Sequence, residues 1–182
     1  MNIDERVFES NGLIYTIRTA VENDAVALSN LRVQIDGETE NMDREVGEAF
    51  MDASDLVKLI HFDSESNRNL FLVAVVDGRI VGYSRCEGIN LQRFRHKVEF
   101  GVGVLKVFWG YGIEKNLLNE SITWAGSTGI KKMTLTVLET NQKAINLYIK
   151  NGFEIEGILK KDKRLSDGEY YSTVVMGRIM DC

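Results

Sequence analysis

Two glycines just before a helix-like segment could seat a phosphate group. The run Val98 to Leu118, VEFGVGVLKVFWGYGIEKNLL, passes from a strand rich in Val and Phe into a turn at Gly110 and Gly112 and then into a helix. The first N–H groups of a helix lack intrahelical partners and carry partial positive charge. Glycine lets a ligand approach the backbone and tolerates positive φ. The pattern therefore predicts a phosphate seat, although an ordinary strand-to-helix turn shows the same residues.

Composition restricts the class of protein that could use such a seat. The 182 residues are enough for one domain with a full core, so we expect a single domain over residues 1–182. The net charge of -5 weighs against nucleic acid as the main partner. The stretch MNIDERVFES lacks the pattern of a signal peptide, and no apolar run reaches the length of a membrane span. We therefore expect a cytoplasmic protein without a membrane partner.

Few residues could bind a metal. Cys86 and Cys182 lie far apart and form no CxxC pair, and His61 and His96 have no ligand-like neighbours. The sequence therefore predicts reduced thiols and no metal site.

The amino-terminal part of the chain is predicted to supply one strand and two helices around a loop. Leu13 to Arg18 form the first strand after the Asn11-Gly12 turn, and Asn23 is a candidate N-cap for a helix. Asp36 to Phe50 are predicted to form a loop of the kind that carries substrate choice, and Ser54 to Ile60 a second helix. The apolar positions at helical spacing after Asn23 are Ala25, Leu28, Leu31 and Ile35.

An antiparallel sheet is predicted to lead into the glycine turn. The run LFLVAVVDGRIVGYSRC places two β-rich segments around Asp77-Gly78, a dipeptide preferred in type I′ hairpins. After a basic loop at Arg93 to Lys97, a third strand runs from Val98 to Val104. A helix from Ile113 to Ser127 and a strand from Lys131 to Leu138 then follow. A strand, helix and strand in this order form a right-handed crossover, so the two strands should lie side by side in parallel.

The rest of the chain adds a helix and two strands. The helix runs from about Asn141 to Lys150 and stops at Asn151-Gly152. The strands FEIEGILKK and YYSTVVMGRI are joined by a turn at Ser166-Asp167-Gly168. The parallel strand pair creates a seam in the sheet, and ligands in α/β sheets favour the carboxyl ends of strands at such a seam.

The stretch Glu139 to Gly157, ETNQKAINLYIKNGFEIEG, lies at that seam. Its spacing NxxAxxLYxxxGFxxEG resembles the carboxyl-terminal motif of the GNAT superfamily of acetyl-CoA-dependent N-acetyltransferases. The resemblance covers Leu72 to Met176, including VDGRIVGY, EFGVGV, WGYGI and the GEYY and VMG segments of the tail. It implies an α/β GNAT fold: a mixed, mostly antiparallel central sheet with one splayed parallel strand pair, flanked by helices.

The resemblance also implies roles in binding acetyl-CoA. Backbone groups on the strand before the turn would bind the pantetheine arm, the turn would cradle the pyrophosphate, Asn141 would hold the coenzyme, and Tyr148 would lie beside the thioester sulfur. The coenzyme-binding residues implied in this way are Val102, Gly103, Val104, Trp109, Gly110, Tyr111, Gly112, Ile113, Glu114, Lys115, Asn141 and Tyr148.

The implied chemistry is direct attack of a substrate amine on the acetyl carbonyl. A lysine-like amine has a pKa of about 10.4, so a base or a water chain must remove a proton before attack. Glu99 is the candidate base, and the Tyr148 hydroxyl is the candidate acid for the departing thiolate. Two alternatives remain: Tyr148 could be a core aromatic, and Glu99 could pair with Arg95 or Lys97 at the surface.

Two positions depart from the family pattern. In the coenzyme loop, Q/R-x-x-G-x-G/A, the three marked positions are Trp109, Gly112 and Glu114, so only the central glycine is kept. Glu114 suits the dipole of a first helical turn, yet a carboxylate facing the pyrophosphate would weaken coenzyme binding. Ser172 stands where related tails often carry Asp, so a substrate contact of the family at this position does not carry over directly to this chain.

The function predicted from the sequence is transfer of acetyl from acetyl-CoA to a primary amine of a small molecule or a protein N-terminus. Residues Gln34 to Phe50 and Arg93 to Lys97 would choose the acceptor, and homodimerisation is expected from the resemblance. One alternative is a non-catalytic GNAT-fold protein that binds CoA or a nucleotide as a sensor or interaction module. A phosphate-binding α/β module unrelated to GNAT proteins would leave the NxxAxxLYxxxGF stretch unexplained.

Overall fold

The computed structural model describes residues 3–180, which form eight strands and four α-helices. The strands are β1 (Arg6–Ser10), β2 (Leu13–Thr19), β3 (Leu70–Val76), β4 (Arg79–Gly88), β5 (Lys97–Val104), β6 (Lys132–Leu138), β7 (Glu154–Arg164) and β8 (Tyr170–Ile179). The helices are α1 (Ala25–Glu38), α2 (Ala53–Glu65), α3 (Ile113–Ser127) and α4 (Gln142–Lys150). No helix within this described range is long and apolar enough to cross a membrane.

All eight strands lie in one sheet, in the order β1-β2-β3-β4-β5-β6-β8-β7. Neighbouring strands are antiparallel except for β5 and β6, which are parallel and are joined through α3. The predicted mixed sheet with one parallel pair is therefore confirmed. A parallel pair needs a long crossover connection, and α3 supplies it.

The parallel pair β5 and β6 separates soon after it forms. Its register pairs only Lys97 to Glu99 of β5 with Lys132 to Thr134 of β6. On its other side, β5 stays paired with β4 as far as Val104. The strands therefore diverge toward their carboxyl ends, and the segment from Phe100 to Val104 faces an opening on the β6 side.

The hairpin predicted at Asp77-Gly78 is confirmed. Both residues have positive φ, +47° and +77°, as a type I′ turn requires. The Asn11-Gly12 turn has the same character, with φ of +49° and +78°, but it joins two strands. Leu13–Thr19 is therefore the second strand and not the first, because β1 (Arg6–Ser10) precedes it. The strand β1 was missed because its side chains are mostly exposed, so it carries little apolar pattern.

The predicted start and end of the first helix were wrong. A short 3₁₀ turn, Glu22–Asp24, precedes α1, and Asn23 is exposed and caps nothing. Asp24 fixes the start instead, because its carboxylate accepts hydrogen bonds from Val21 N (2.9 Å) and from Arg18 (2.7 and 2.9 Å). At the other end, α1 continues to Glu38 rather than stopping before Asp36.

Asp36 explains why the helix runs further than its polarity suggests. Its side chain is buried, at 3% exposure, and its carboxylate receives two hydrogen bonds of 3.0 Å from the Arg44 guanidinium. A buried charge is tolerated when it is paired and hydrogen-bonded. The loop between α1 and α2 is therefore folded back onto α1 through Arg44.

Candidate active site

The predicted phosphate seat forms at the turn between β5 and α3. Gly110 and Gly112 both have positive φ, +88° and +76°, and Gly112 is the N-cap of α3. A Cβ added at Gly110 would meet nothing within 4 Å, so the backbone there is open to a ligand. The first N–H groups of α3 lack helical partners and carry the positive end of the helix dipole. The turn can therefore bind an anion.

Side chains for which the sequence predicted no such role fix the conformation of this turn. Asn11 Nδ2 donates to the carbonyl oxygen of Gly110 (3.0 Å), and Tyr15 Oη donates to that of Tyr111 (3.3 Å). Trp109 Nε1 donates back to the Val104 carbonyl (2.8 Å). The β1–β2 hairpin thus holds the glycine turn from outside, through Asn11 in its connecting turn and Tyr15 on β2. No local pattern in the sequence could have indicated this long-range contact.

A cavity of about 300 Å³, here called the turn cavity, opens at the glycine turn. Two cations, Lys115 and Lys143, line it, which suits a phosphate-bearing ligand. Tyr111 does not line it, and its half-buried side chain packs against the core. The other predicted coenzyme residues that line it are Val102, Gly103, Val104, Trp109, Gly110, Gly112, Ile113, Glu114 and Asn141.

A second cavity of about 330 Å³ lies beside the first and is here called the arginine cavity. Arg32, Arg44 and Arg85 line it, together with Glu99 and Tyr148. The predicted base and the predicted acid therefore face the same space. Glu114 and Asn141 line both cavities, so the two spaces meet at the seam of the sheet.

Tyr148 and Glu114 contact each other where the cavities meet. Tyr148 Oη donates a hydrogen bond to Glu114 Oε1 (3.4 Å), and the tyrosine is 6% exposed. Its ring also packs against Phe153, with ring centroids 5.8 Å apart. Glu114 therefore reaches toward the seam and does not turn away from it. This contact between α3 and α4 could not be read from the sequence.

Burial changes the acidity of both groups. Burial raises the pKa of the Glu114 carboxyl above its usual value, and the hydrogen bond from Tyr148 opposes that rise only in part. Burial also raises the pKa of Tyr148, and the nearby charge of Glu114 raises it further. In each case the protonated, neutral form is favoured because a charge in this seam would be poorly solvated.

Asn141 has a structural contact as well as a place in the site. Its side-chain oxygen accepts from Ala144 N (3.3 Å), so Asn141 is the N-cap of α4. A capping side chain satisfies one of the N–H groups left free at the helix start. The side-chain amide N–H groups of Asn141 are donors that it can offer to the cavities it lines.

Glu99 does not form the surface ion pair considered as an alternative role. Among the described residues, neither Arg95 nor Lys97 forms an ion pair with it: Arg95 donates to Gln92 (3.2 Å), and the Lys97 ammonium lies 4.9 Å from the centre of the Phe94 ring. Glu99 is exposed and lines the arginine cavity. Its carboxylate is therefore available to a ligand amine.

The arginines of this cavity differ in how they are paired. Arg44 binds Asp36, and Arg85 binds Asp63 at 2.6 Å and Glu87 at 2.8 Å. Arg32 is half-buried and forms no ion pair within residues 3–180. Arg32 is not among the site residues predicted from the sequence.

The position of Arg32 in the helix could have revealed it. It lies four residues after Leu28 and three before Ile35, on the buried stripe of α1. A charged residue on such a stripe needs a partner or a ligand.

The two segments predicted to choose the acceptor, Gln34 to Phe50 and Arg93 to Lys97, differ in whether they reach the cavities. Residues 41–44 of the first loop line the arginine cavity. None of the residues from Arg93 to Lys97 lines either cavity. Ser172 lines neither cavity, and its backbone N donates to Glu139 Oε1 (2.6 Å).

Among the described residues, no group of three or more His, Cys, Asp or Glu side chains could hold a metal ion. Cys182, one of the two cysteines considered in the sequence, lies outside the described range.

Comparison with known proteins gives the family. The sequence profile of the Acetyltransferase (GNAT) family matches residues 37–153. The L-amino acid N-acetyltransferase of Escherichia coli (strain K12) is 35% identical over 109 residues, which cover 59% of this chain and 67% of that relative.

Solved structures show the same fold. The acetyltransferase of GNAT family from Streptococcus pneumoniae has a TM-score of 0.88 and 26% identity, covering 92% of this chain and 99% of its own. The structure of yncA from Salmonella typhimurium, solved with its cofactor acetyl-CoA, has a TM-score of 0.80 and 22% identity, and the match covers 92% of this chain and 94% of yncA. The predicted GNAT fold and the predicted N-acetyltransferase class are both confirmed, and the chain belongs to the GNAT acetyltransferase family.

Proposed function

We propose that this enzyme transfers the acetyl group of acetyl-CoA to the primary amine of a small zwitterionic acceptor, a compound that carries a carboxylate as well as the amine. The observation that carries this proposal is the pair of unmatched charges in the arginine cavity, Arg32 on α1 and Glu99 on β5. An acceptor carboxylate would bind the guanidinium and an acceptor ammonium would bind the carboxylate. The activity named for the E. coli relative, on L-amino acids, has the same chemistry.

The residues around the turn cavity fit acetyl-CoA as the donor. Open backbone at Gly110, the start of α3 and the cations Lys115 and Lys143 favour phosphate groups. Val102 to Val104, on the open side of β5, would take the pantetheine arm, as predicted from the sequence. When bound, the thioester supplies an activated acetyl group, and no covalent link to the protein is needed.

The protein's own groups would then manage the protons. Glu99 would accept a proton from the acceptor ammonium, directly or through water, because the amine must be neutral to attack. Tyr148 would donate its hydroxyl proton to the departing sulfur. A backbone N–H on the open side of β5 would stabilise the negative charge that develops on the carbonyl oxygen.

The test is a panel of acceptors with a variant of Arg32. L-amino acids, their amides and simple diamines would be compared in steady-state acetyl transfer. Arg32→Gln should raise KM for amino acids roughly 10- to 100-fold, because a charge-assisted hydrogen bond is lost, and should leave KM for the amides nearly unchanged. Arg79→Gln, at the exposed start of β4, is the matched control.

Two results would count against the proposal. Equal turnover of amides and amino acids by the unaltered enzyme would remove the carboxylate requirement. Binding of acetyl-CoA in a calorimetric titration with no turnover of any amine would favour the second candidate, a CoA-binding sensor, which the carboxylate of Glu114 in the turn cavity motivates.

The remaining expectations from the sequence are part of the same proposal. We propose a single catalytic domain over residues 1–182, located in the cytoplasm, that forms a homodimer and uses neither nucleic acid nor a metal. The homodimer is supported by exposed apolar side chains on the edge strand β7, including Ile155 and Ile158 at 53% and 57% exposure. Sedimentation equilibrium would test the homodimer.

A further inference from the structure

Glu114 is the ionisable group at the boundary of the two cavities. The described residues that line both spaces also include Asn41, Met42, Val102 and Asn141, and none of those four has an ionisable side chain. Glu114 therefore stands where the acceptor side and the donor side of the proposed reaction meet. A carboxyl at such a boundary can exchange a proton with either side.

The contact with Tyr148 limits what the tyrosine can do alone. The phenol has one proton, and in this structure Tyr148 Oη donates it to Glu114 Oε1 (3.4 Å). If Glu114 is ionised, loss of that proton to another acceptor would leave a phenolate next to a carboxylate in a buried seam. Two like charges at this distance oppose each other strongly where water is scarce. Tyr148 beside an ionised Glu114 is therefore a poor acid.

When Glu114 is protonated, Tyr148 can act as an acid. The carboxylic O–H can turn its proton toward Tyr148 Oη, which frees the phenol proton for an acceptor on its other side. The burial that raises the pKa of Glu114 favours this protonated form. A chain of two O–H groups can then shift both protons together, and no phenolate forms.

We propose that Glu114 is a positioning and relay residue that acts through Tyr148, supplying the proton that Tyr148 passes to the departing sulfur. The proposal rests on the proposed function. As the nitrogen–carbon bond forms and the carbon–sulfur bond breaks, Tyr148 Oη gives its proton to the sulfur and takes the proton of Glu114. Glu114 recovers a proton from the acceptor nitrogen, which must lose one after attack. The other proton of the ammonium leaves earlier through Glu99.

The protons balance over one catalytic cycle. The acceptor ammonium loses two protons, of which one reaches the sulfur through Glu114 and Tyr148 and one reaches solvent through Glu99. Glu114 and Tyr148 end each cycle as they began it. The other charged or titratable groups that line the two cavities with Glu114 and Tyr148 are Arg32, Asp43, Arg44, Tyr83, Arg85, Glu99, Lys115 and Lys143.

The first test is kinetic. Glu114→Gln keeps the size and can still hydrogen-bond Tyr148, but it has no proton to give, so kcat should fall at least about 10-fold. The protonated form is the active one, so the alkaline decline of the kcat profile that belongs to Glu114 should disappear. Glu114→Asp should recover part of kcat and of that decline. Tyr148→Phe combined with Glu114→Gln should be no slower than Tyr148→Phe alone.

The second test needs no turnover. An infrared pH titration of the free protein should show a protonated carboxyl band that persists above the usual range for glutamate, and Glu114→Gln should abolish it. Glu120→Gln, a buried glutamate of the same helix that pairs with Arg6 (3.2 Å), should leave the band in place. Calorimetric titration of both variants with CoA shows whether binding has changed.

Opposite results separate the two proposals. If the unaltered enzyme acetylates amino acids but Glu114→Gln keeps kcat and its pH profile and only binds CoA more tightly, the relay is wrong and Glu114 merely repels the pyrophosphate. Absence of the infrared band would also overturn the relay. If the unaltered enzyme transfers acetyl to no amine, the proposed function fails, and the relay fails with it.

Discussion

The proposed chemistry depends on which of two oxygens in the seam of the sheet holds a proton. Glu114 Oε1 and Tyr148 Oη lie 3.4 Å apart, and burial disfavours the charged form of each. Both residues were predicted from the sequence, but Glu114 was predicted as a coenzyme-binding position that departs from the family pattern and not as a partner of Tyr148. Glu114 and Tyr148, the proposed acid, are in contact, so the two residues should be altered together.

Glu114 should make folding stability depend on pH. Its pKa is raised in the folded protein, so the unfolded chain releases this proton first as pH rises. The stability contributed by this carboxyl is therefore fully present below the unfolded pKa, about 4.3, and is lost as pH rises through the folded pKa. Glu114→Gln should remove that part of the decline, so that the variant gains stability relative to the parent as pH rises from about 4.3 through the folded pKa of Glu114.

Urea midpoints across this pH range measure the effect in the free protein. Glu154→Gln, on the exposed edge strand β7, is the control and should follow the parent curve. If Glu114→Gln and the parent give parallel curves, the carboxyl is not buried as the structure has it.

At the scale of single elements, the start of α3 is the part of the site that the sequence predicted best. Two closely spaced glycines, a run of Val and Phe before them and helical spacing after them are local signals, and the turn they form has the predicted place. The sequence did not indicate that Asn11 and Tyr15 hold that turn, because these contacts span about a hundred residues of chain.

Gly112, the N-cap of α3, and Gly126, inside α3, should respond oppositely to substitution by alanine. Gly112 has φ of +76°, so an alanine there is strained, and we expect Gly112→Ala to lower stability by about 1–2 kcal/mol. Gly126 is exposed inside α3, and a Cβ there would meet nothing within 4 Å. Gly126→Ala should raise stability by about 0.5–1 kcal/mol.

Chemical unfolding measures the change in stability of each variant, and calorimetric titration with CoA measures its coenzyme affinity. Gly112→Ala should also weaken CoA binding, since the strained residue is the N-cap of α3, whereas Gly126→Ala should not. A stabilising Gly112→Ala would mean that the turn does not need the left-handed conformation.

For the molecule as a whole, the sequence predicted the sheet well because most of its signals are local. The Asp77-Gly78 hairpin and the β5–α3–β6 crossover came from short patterns, and both are present. The strand β1 was missed because an exposed edge strand has no apolar alternation. Arg44 and Arg85 of the arginine cavity were missed because their pairing is tertiary, as in the Arg85–Asp63 pair between β4 and α2.

The divergence of β5 from β6 should be visible in hydrogen exchange. Alternate N–H groups of a strand point to opposite neighbours, and β5 lacks a β6 partner beyond Glu99. In the free protein, part of the 100–104 segment should therefore exchange fast, while β3, paired on both sides, exchanges slowly. Saturating CoA should slow exchange at 100–104 and at the turn 110–115.

A fragment of the coenzyme gives the decisive control. Adenosine 3′,5′-bisphosphate lacks the pantetheine arm, so if it binds it should leave the 100–104 segment exchanging fast. Saturating ligand also raises global stability by about 2.7 kcal/mol at 100 times Kd, so short exchange times must be compared. If the fragment protects 100–104 as fully as CoA does, β5 is ordered by the phosphates at a distance and its open side does not bind the arm.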